Sequence, residues 1–190
     1  MIFNDFKISQ VTESDLNSIS LLHKSAFSDM HLTKFLPISV IEGYYSIFLS
    51  NNVHFNKLTV NSVVHGFIVF GNTTTINSCL RDFKKKYIFN IFLLFFKKPI
   101  LFFKVLFKYF VNHDLSDYTN DDVILSVVSS KKYNGIGKCL VQSSVLDIND
   151  DCDLYLYVNS NEISTINFYL NIGFHLDKRV NIEYIMLYKN

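Results

Sequence analysis

Two glycines in the second half of the chain, Gly135 and Gly137, have the spacing of a turn that could hold an anion. Glycine has no Cβ atom, so several backbone N–H groups could converge on one oxyanion there. The helix predicted after the turn would direct its positive dipole end to the same point. Such a cradle suits a pyrophosphate, although an ordinary loop is the alternative for this pattern alone. The segment comprises Lys132, Tyr133, Asn134, Gly135, Ile136, Gly137 and Lys138, and its two lysines could add charge at the rim.

The sequence gives little indication of a dinucleotide site, a nucleoside triphosphate site, a metal site or a disulfide. The turn lacks the third glycine of a dinucleotide fingerprint and the Gly-Lys-Ser/Thr ending of a nucleoside triphosphate loop. None of the six histidines pairs with another histidine or an acid at ligand spacing, so no metal is expected. The three cysteines share no close spacing, which favours reduced thiols in the cytoplasm. Residues 1–15 contain no long apolar run, and no cleaved signal is expected.

The pattern of strands and helices around the turn predicts one α/β (α+β) domain over residues 1–190. A turn at Asn61 and Ser62 joins two of the strands as an antiparallel hairpin. The β-branched run at 123–128 predicts a central strand buried on both faces. A helix is expected after Pro37, with Ser39 and Glu42 at capping-box spacing. Strands are predicted at 6–11, 54–60, 63–70, 123–128, 154–158 and 184–188, with helices at 12–26, 39–48, 135–145 and 164–171.

An insert at 72–120, between the third and fourth predicted strands, has a composition unlike the rest of the chain. Residues 79–110 hold eight basic residues and one acid, a net charge of +7. The remainder holds ten basic and sixteen acidic residues, a net charge of −6. Nine of the 19 phenylalanines also lie in 79–110. Its two apolar runs, 88–96 and 100–111, are each shorter than the roughly 20 residues of a spanning helix.

Three interpretations of this insert stay open. Residues 81–111 could form a basic amphipathic hairpin on an anionic membrane surface. They could instead be helices that pack over a substrate cleft or against a partner copy in a homodimer. Nucleic-acid binding is the weakest of the three, because the lysines flank the apolar runs instead of alternating with exposed aromatic residues.

The C-terminal part of the chain carries a second, more specific pattern. Asn161 is followed by a small residue, Ser164, then by an aromatic pair, Phe168 and Tyr169, and then by Gly173 and Phe174. Together with the glycine turn, this order and spacing resembles the GCN5-related N-acetyltransferase superfamily. Lys132 stands where arginine or glutamine is more frequent in that family, and Ser164 replaces the usual alanine. The resemblance covers about residues 121–188, is supported by element order over 1–71, and does not extend to the insert.

The resemblance implies a mixed, largely antiparallel sheet flanked by helices, and a site for acetyl-CoA between two strands. A bulge would part the fourth strand from the fifth, and the pantetheine arm would lie along the backbone of Leu125, Ser126 and Val127. An N–H near Leu125 would polarise the thioester carbonyl. Tyr169 would protonate the departing thiolate, and Asn161 would orient the pantetheine or a water. Without the family spacing, Tyr169 would be interpreted as a core residue and Asn161 as a helix cap.

The implied reaction is direct attack of a primary amine on acetyl-CoA. The acceptor predicted from the family is a small metabolite, for which a nucleotide-linked amino sugar is one hypothesis. A protein lysine or N-terminal acetyltransferase and a noncatalytic module that binds CoA or a membrane surface are the alternatives. The base that deprotonates the amine is left open among Asp121, Asp122, His65, Tyr157 and a water relay.

Overall fold

The computed structural model of the chain is built around a seven-stranded sheet. The structure describes residues 6–27, 31–51, 53–100, 103, 121–148 and 152–189. The strands are β1 (Lys7–Gln10), β2 (His54–Val60), β3 (Val63–Asn72), β4 (Asp122–Ser129), β5 (Leu154–Asn159), β6 (His175–Val180) and β7 (Glu183–Tyr188). Their spatial order is β1-β2-β3-β4-β5-β7-β6, and all neighbours are antiparallel except the parallel pair β4 and β5. The predicted mixed, largely antiparallel sheet is confirmed.

Helices cover both faces of this sheet and divide the interior into two apolar cores. The described helices are α1 (Leu16–Ala26), α2 (Ile38–Ser50), α3 (Thr73–Lys86), α4 (Ile88–Lys97), α5 (Ile136–Asp147) and α6 (Ile163–Leu170). Buried residues of α1 to α4, such as Ile19 and Phe48, pack on one face and form what we call the first core. Buried residues of α5 and α6, such as Leu140 and Ile166, pack on the other face and form the second core.

Two local predictions near the first core have different outcomes. The turn between β2 and β3 is the expected two-residue turn, because Asn61 and Ser62 have positive φ angles of 50° and 65°. The capping box at Ser39 and Glu42 is wrong. Helix α2 begins at Ile38, and Pro37 stands at its N-cap position. The Pro37 carbonyl accepts the N–H groups of Val40 and Ile41, at 3.0 and 3.1 Å.

Strand β4 has a bulge at its centre, and the bulge determines where the sheet opens. Val69 of β3 is paired with Ser126 and Phe70 with Ile124, so Leu125 is an extra residue in the ladder. The pairing of β4 with β5 covers only Asp122 to Ile124. Beyond Ile124 the two strands separate, as the resemblance implies. The expected burial on both faces is therefore wrong for 125–127, which are only half-buried because they border the gap.

Strand β6 (His175–Val180), which forms an edge of the sheet, was not predicted from the sequence. Four of its six residues, Leu176 to Arg179, are exposed, so it carries no alternation of apolar and polar positions. Its pairing with β7 follows from the turn at Asn181, which has a positive φ of 55°.

The insert between β3 and β4 is helical where the structure describes it. Helices α3 and α4 occupy its first half, and Asn72 begins α3 by accepting the backbone N–H groups of Thr74 and Thr75. Most of the second apolar run predicted at 100–111 lies outside the described residues. None of the described helices has the length and apolar character needed to cross a membrane.

Candidate active site

A solvent-open cleft of about 520 Å³ lies where β4 has separated from β5. It is bordered by the end of β4, the turn that leads into α5, and one side of α6. Its lining consists of Val127, Ser129, Ser130, Lys131, Tyr133, Asn134, Gly135, Ile136, Gly137, Lys138, Ser164, Thr165, Phe168 and Tyr169. Both halves of the pattern found in the sequence therefore meet in one cleft.

The N-terminus of α5 supplies a set of uncommitted N–H groups to this cleft. Gly135 precedes the helix with a positive φ of 89°, which favours glycine. The N–H of Cys139 makes the first intrahelical bond, to the Gly135 carbonyl at 3.0 Å, and no side chain caps the helix. The N–H groups of 136–138 thus precede the hydrogen-bonded part of the helix, and the positive end of the helix dipole lies beside them. This arrangement can bind a phosphate.

Close packing on β3 holds the start of α5 in this position. A Cβ atom on Gly66 would lie 2.4 Å from the Ile136 Cγ2 atom and 3.0 Å from the Val128 carbonyl oxygen. Only glycine at Gly66 lets the first turn of α5 approach the sheet so closely. On the cleft side, a Cβ atom on Gly137 would lie 3.4 Å from Cζ of Phe168, so α5 and α6 are also closely spaced there.

The turn before α5 is held from the other side by His65. The Ser130 N–H donates to the His65 carbonyl at 2.7 Å, and the His65 Nδ1 atom lies 3.2 Å from the Ser130 hydroxyl. The His65 and Tyr133 rings pack edge to face, with centroids 4.8 Å apart. Burial, assisted by the nearby charge of Lys132, lowers the pKa of His65, so the ring is neutral at pH 7. These contacts make His65 a support for the turn.

Tyr169 is the one titratable side chain of α6 that lines the cleft. It is 8% exposed and packs against the rings of Phe168 and Phe174, with centroids 5.0 and 5.4 Å away. Gly173, with a φ of 114°, ends the helix, and the Phe174 N–H donates to the Tyr169 carbonyl at 3.1 Å. Burial raises the pKa of Tyr169 well above its usual value near 10, so the phenol keeps its proton at neutral pH.

Four of the predicted site residues do not line the cleft. Leu125 packs against the first core, and Ser126 lies beside Tyr45 on that same side of the sheet. The Lys132 ammonium lies 5.4 Å from the centre of the Tyr133 ring. Asn161 is exposed, and its backbone N–H donates to the Asn159 Oδ1 atom at 3.0 Å. The backbone of 125 and 126 still borders the separation, since Leu125 is the bulged residue.

Six residues that line the cleft were not among the site residues predicted from the sequence. These lining residues are Ser129, Ser130, Lys131, Ser164, Thr165 and Phe168, of which Ser164 and Phe168 entered only as part of the family signature. Residues 164, 165, 168 and 169 have the spacing of one helix face, and that periodicity could have identified Thr165.

The four candidates for the base occupy different places. Asp121 and Asp122 lie at the end of β4 that is still paired with β5, before the bulge. His65 supports the turn at the opposite end of the strand. Tyr157 lies on β5 beyond the separation and packs against the first core. Among the residues that the structure describes, no group of three His, Cys, Asp or Glu side chains could hold a metal ion.

A buried polar chain on the first-core side was not anticipated from the sequence. The Nδ1 atom of His23 lies 2.7 Å from the Tyr45 hydroxyl, and its Nε2 atom lies 3.0 Å from the Thr33 hydroxyl. Burial is the main reason that the pKa of His23 falls to about 4, with smaller contributions from His31 and Lys24. The imidazole is therefore neutral and links α1 to α2 and to the turn before it.

No family model matches the sequence, and neither does any curated protein. The fold resembles PaiA N-acetyltransferase of Thermoplasma acidophilum, solved with coenzyme A (TM-score 0.59, 15% identity, covering 98% of this chain and 99% of that one). It also resembles the ribosomal-protein-S18-alanine N-acetyltransferase of Escherichia coli (TM-score 0.57, 14% identity, 96% and 92%).

A third similar structure carries a family name of its own. It is a protein of the GNAT family from Desulfovibrio desulfuricans, with a TM-score of 0.56 and 14% identity, and the match covers 96% of both chains. Near-complete coverage in all three cases means that the shared architecture is that of the whole fold and not of one motif. The chain thus has the fold of the GCN5-related N-acetyltransferase superfamily.

Proposed function

We propose that this protein transfers the acetyl group of acetyl-CoA to a primary amine. The observation that carries the proposal is the separation of β4 from β5 beyond Ile124, next to the uncommitted N–H groups of 136–138. A pantetheine arm carries amide groups and could pair with the β4 backbone as an added strand would. Its diphosphate could then accept hydrogen bonds at the start of α5. That the similar PaiA protein was solved with coenzyme A supports this choice of cosubstrate.

The chemistry of the cleft fits direct acetyl transfer. The amine nitrogen bonds to the carbonyl carbon of the thioester, and an N–H of the β4 backbone near Leu125 stabilises the negative charge that develops on the carbonyl oxygen. The carbon–sulfur bond breaks, and its electron pair remains on sulfur. The amine gives up one proton to water; Tyr157, the candidate that lies beyond the separation, is a neutral phenol and could only relay that proton by passing its own to water.

Tyr169 is the side chain proposed to supply a proton to the sulfur. A free thiol has a pKa of about 8.5, whereas burial raises that of the Tyr169 phenol above 10. The phenol therefore donates a hydrogen bond to the developing thiolate first. The proton passes to sulfur as desolvation makes the thiolate more basic. A phenol is already protonated at neutral pH at its ordinary pKa near 10, so burial helps the role by excluding water from the sulfur and not by holding the proton. The proton that Tyr169 gives to the sulfur is replaced, through water, by the proton that the amine releases.

The acceptor proposed for the reaction is a primary amine on a small molecule, and a nucleotide-linked amino sugar is one class within it. No side chain of the described cleft is specific for a sugar, so this class follows from the family alone. A protein amine is the second candidate, because one of the similar structures is a ribosomal-protein-S18-alanine N-acetyltransferase. A noncatalytic protein that only binds the coenzyme is the third.

The release of free thiol separates these candidates. The full chain would be mixed with acetyl-CoA and, in parallel, with amino sugars, nucleotide-linked amino sugars, polyamines, lysine peptides and peptides with a free N-terminus. With a small amine present, we expect free thiol to be released faster than acetyl-CoA is hydrolysed in its absence. Release with peptides only would move the acceptor to proteins, and no release despite coenzyme binding would support a noncatalytic role.

A pair of conservative variants tests whether Tyr169 takes part. Tyr169→Phe removes the proposed proton donor, while Tyr184→Phe removes a phenol on β7 that does not line the cleft. Loss of turnover in the first variant alone would support the mechanism. Full activity in Tyr169→Phe would contradict it.

A further inference from the structure

Helix α4 presents an apolar face to solvent that the proposed acetyl transfer does not use. We define the outer face as Ile88, Phe89, Phe92, Leu93, Phe96 and Ile100, the last lying just beyond the end of the helix. Its side chains are between 39% and 75% exposed, and Phe89 and Phe96 reach 69% and 68%. Such a cluster of large apolar side chains is unusual on the surface of a soluble protein and marks an interaction site.

The packing of α4 fixes which side faces outward. Its inner positions, Tyr87, Ile91 and Leu94, follow helical spacing and pack against the first core, where Leu94 is 3% exposed. Tyr87 lies so close to α2 that a Cβ atom on Gly43 would be 1.9 Å from its hydroxyl. At the other end, the Lys98 ammonium lies 4.6 Å from the centre of the Phe35 ring. The outer face is therefore exposed because the opposite side is held by the core.

Lysines stand at both ends of this apolar face. Lys84, Lys85 and Lys86 are exposed at the end of α3, directly before α4, and Lys97 and Lys98 are exposed at its end. They belong to the segment 79–110 with its net charge of +7, whereas the rest of the chain has a net charge of −6. The described part of this segment, residues 79–100, holds six basic residues and one acid, so positive charge is concentrated around the outer face.

We infer that the outer face of α4 binds the surface of an anionic lipid bilayer. The phenylalanine and isoleucine side chains would enter the boundary between headgroups and acyl chains, and the flanking lysines would meet the lipid phosphates. The net negative charge of the rest of the chain would be repelled, which turns the outer face toward the membrane. A symmetric dimer through the same face is disfavoured, because it would bring together two copies of residues 79–100, each with six basic residues and one acid.

Vesicle flotation of the full chain tests this inference and does not depend on acetyl transfer. The protein would be mixed with vesicles of phosphatidylcholine alone and with vesicles containing about one third phosphatidylglycerol. We expect flotation with the anionic vesicles and much less with the neutral ones, and we expect added salt to weaken it. No flotation with anionic vesicles would overturn the inference, as would equal binding to both kinds at every salt concentration.

Two sets of substitutions separate the apolar and charged contributions. Phe89→Ser, Phe92→Ser and Phe96→Ser combined should weaken binding roughly 10²-fold, since apolar burial is lost. The matched control combines Leu146→Ser, Leu176→Ser and Ile182→Ser, three exposed apolar residues elsewhere. It should bind as the wild type does.

The charge set combines Lys84→Gln, Lys85→Gln and Lys86→Gln and should also weaken binding about 10²-fold. Its control combines Lys7→Gln, Lys178→Gln and Lys189→Gln, which change the net charge equally at exposed positions outside the insert. Equal loss in the set and its control would overturn a specific lysine contribution. Light scattering measures whether the protein is a dimer. If it is a dimer that the phenylalanine substitutions dissociate, and if it does not bind vesicles, the outer face binds a second copy of the chain and the membrane inference is overturned. The charge set keeps the test valid if the phenylalanine variant does not fold.

Discussion

Gly66→Ala tests whether the close approach of α5 to β3 builds the phosphate cradle. The added methyl group would lie 2.4 Å from the Ile136 Cγ2 atom and 3.0 Å from both the Val128 carbonyl oxygen and the Leu140 Cδ1 atom. Carbon atoms in contact are normally separated by about 3.5 to 4.0 Å, so the start of α5 must move by about 1 Å. Overpacking of this kind costs about 1–3 kcal/mol of unfolding free energy.

The shift should also weaken the binding of acetyl-CoA. Displacement of the first turn of α5 would cost at least one hydrogen bond to a charged phosphate, which is worth about 1.5–3 kcal/mol, or tenfold or more in affinity. Thermal unfolding and calorimetric titration measure the two effects separately. For a chain of this size, each kcal/mol lowers the melting temperature by roughly 2–4 °C.

Gly43→Ala provides the matched control, because it also introduces a clash but does so on the first-core side. Its methyl group would meet the Tyr87 hydroxyl at 1.9 Å, far from the lining of the cleft. We expect this variant to lose stability and keep its affinity for acetyl-CoA. An unchanged affinity in Gly66→Ala, or an equal loss of affinity in both variants, would refute the reasoning.

Three further predictions follow from the cleft and from the buried polar chain. Tyr169→Phe should lower kcat about 10²-fold and change the KM for acetyl-CoA little, because the phenol acts on the leaving sulfur. Steady-state measurement of thiol release gives both constants, and an unchanged kcat would contradict this prediction. Gly135→Ala should lower the free energy of unfolding by about 1–2 kcal/mol through the positive φ alone, since nothing lies within 4 Å of the new Cβ atom, and Gly135→Asn should lower it less. Equal urea midpoints for the two variants would contradict this prediction. The folded pKa of His23, about 4, lies below the unfolded value near 6.5, so the free energy of unfolding should fall by up to about 3 kcal/mol as the pH drops from 6.5 to 4. Urea unfolding at several pH values measures this loss, and a His23→Gln variant with the same pH dependence as the wild type would contradict the prediction.

Local spacing was enough to predict the parts of the site that lie close together in the sequence. The turn with Gly135 and Gly137 needs only a few consecutive residues, and its helix begins immediately after it. The spacing from Asn161 to Phe174 likewise lies within one helix and its two ends. Through the family resemblance that they carry, these short-range patterns implied a place for Tyr169 beside the coenzyme, and the structure brings Tyr169 to the same cleft as the glycine turn.

Side-chain direction and long-range contacts could not be predicted in the same way. The spacing of the turn does not determine that Lys132 lies over Tyr133 while Lys131 lines the cleft. Strand β6 was not predicted because both of its faces are largely exposed, so its sequence has no alternation of apolar and polar residues. The contact between His23 and Tyr45 joins residues 22 positions apart, and it depends on how α1 and α2 pack.

Calorimetric titration with acetyl-CoA and with acetylpantetheine, which lacks the diphosphate, tests the central claim most directly. If the arm lies between β4 and β5 with its diphosphate at the start of α5, acetyl-CoA should bind at one site per chain. Acetylpantetheine should bind at least about tenfold more weakly, because the charge-assisted hydrogen bonds are lost. Equal affinities for the two compounds, or no heat of binding with acetyl-CoA, would contradict the account.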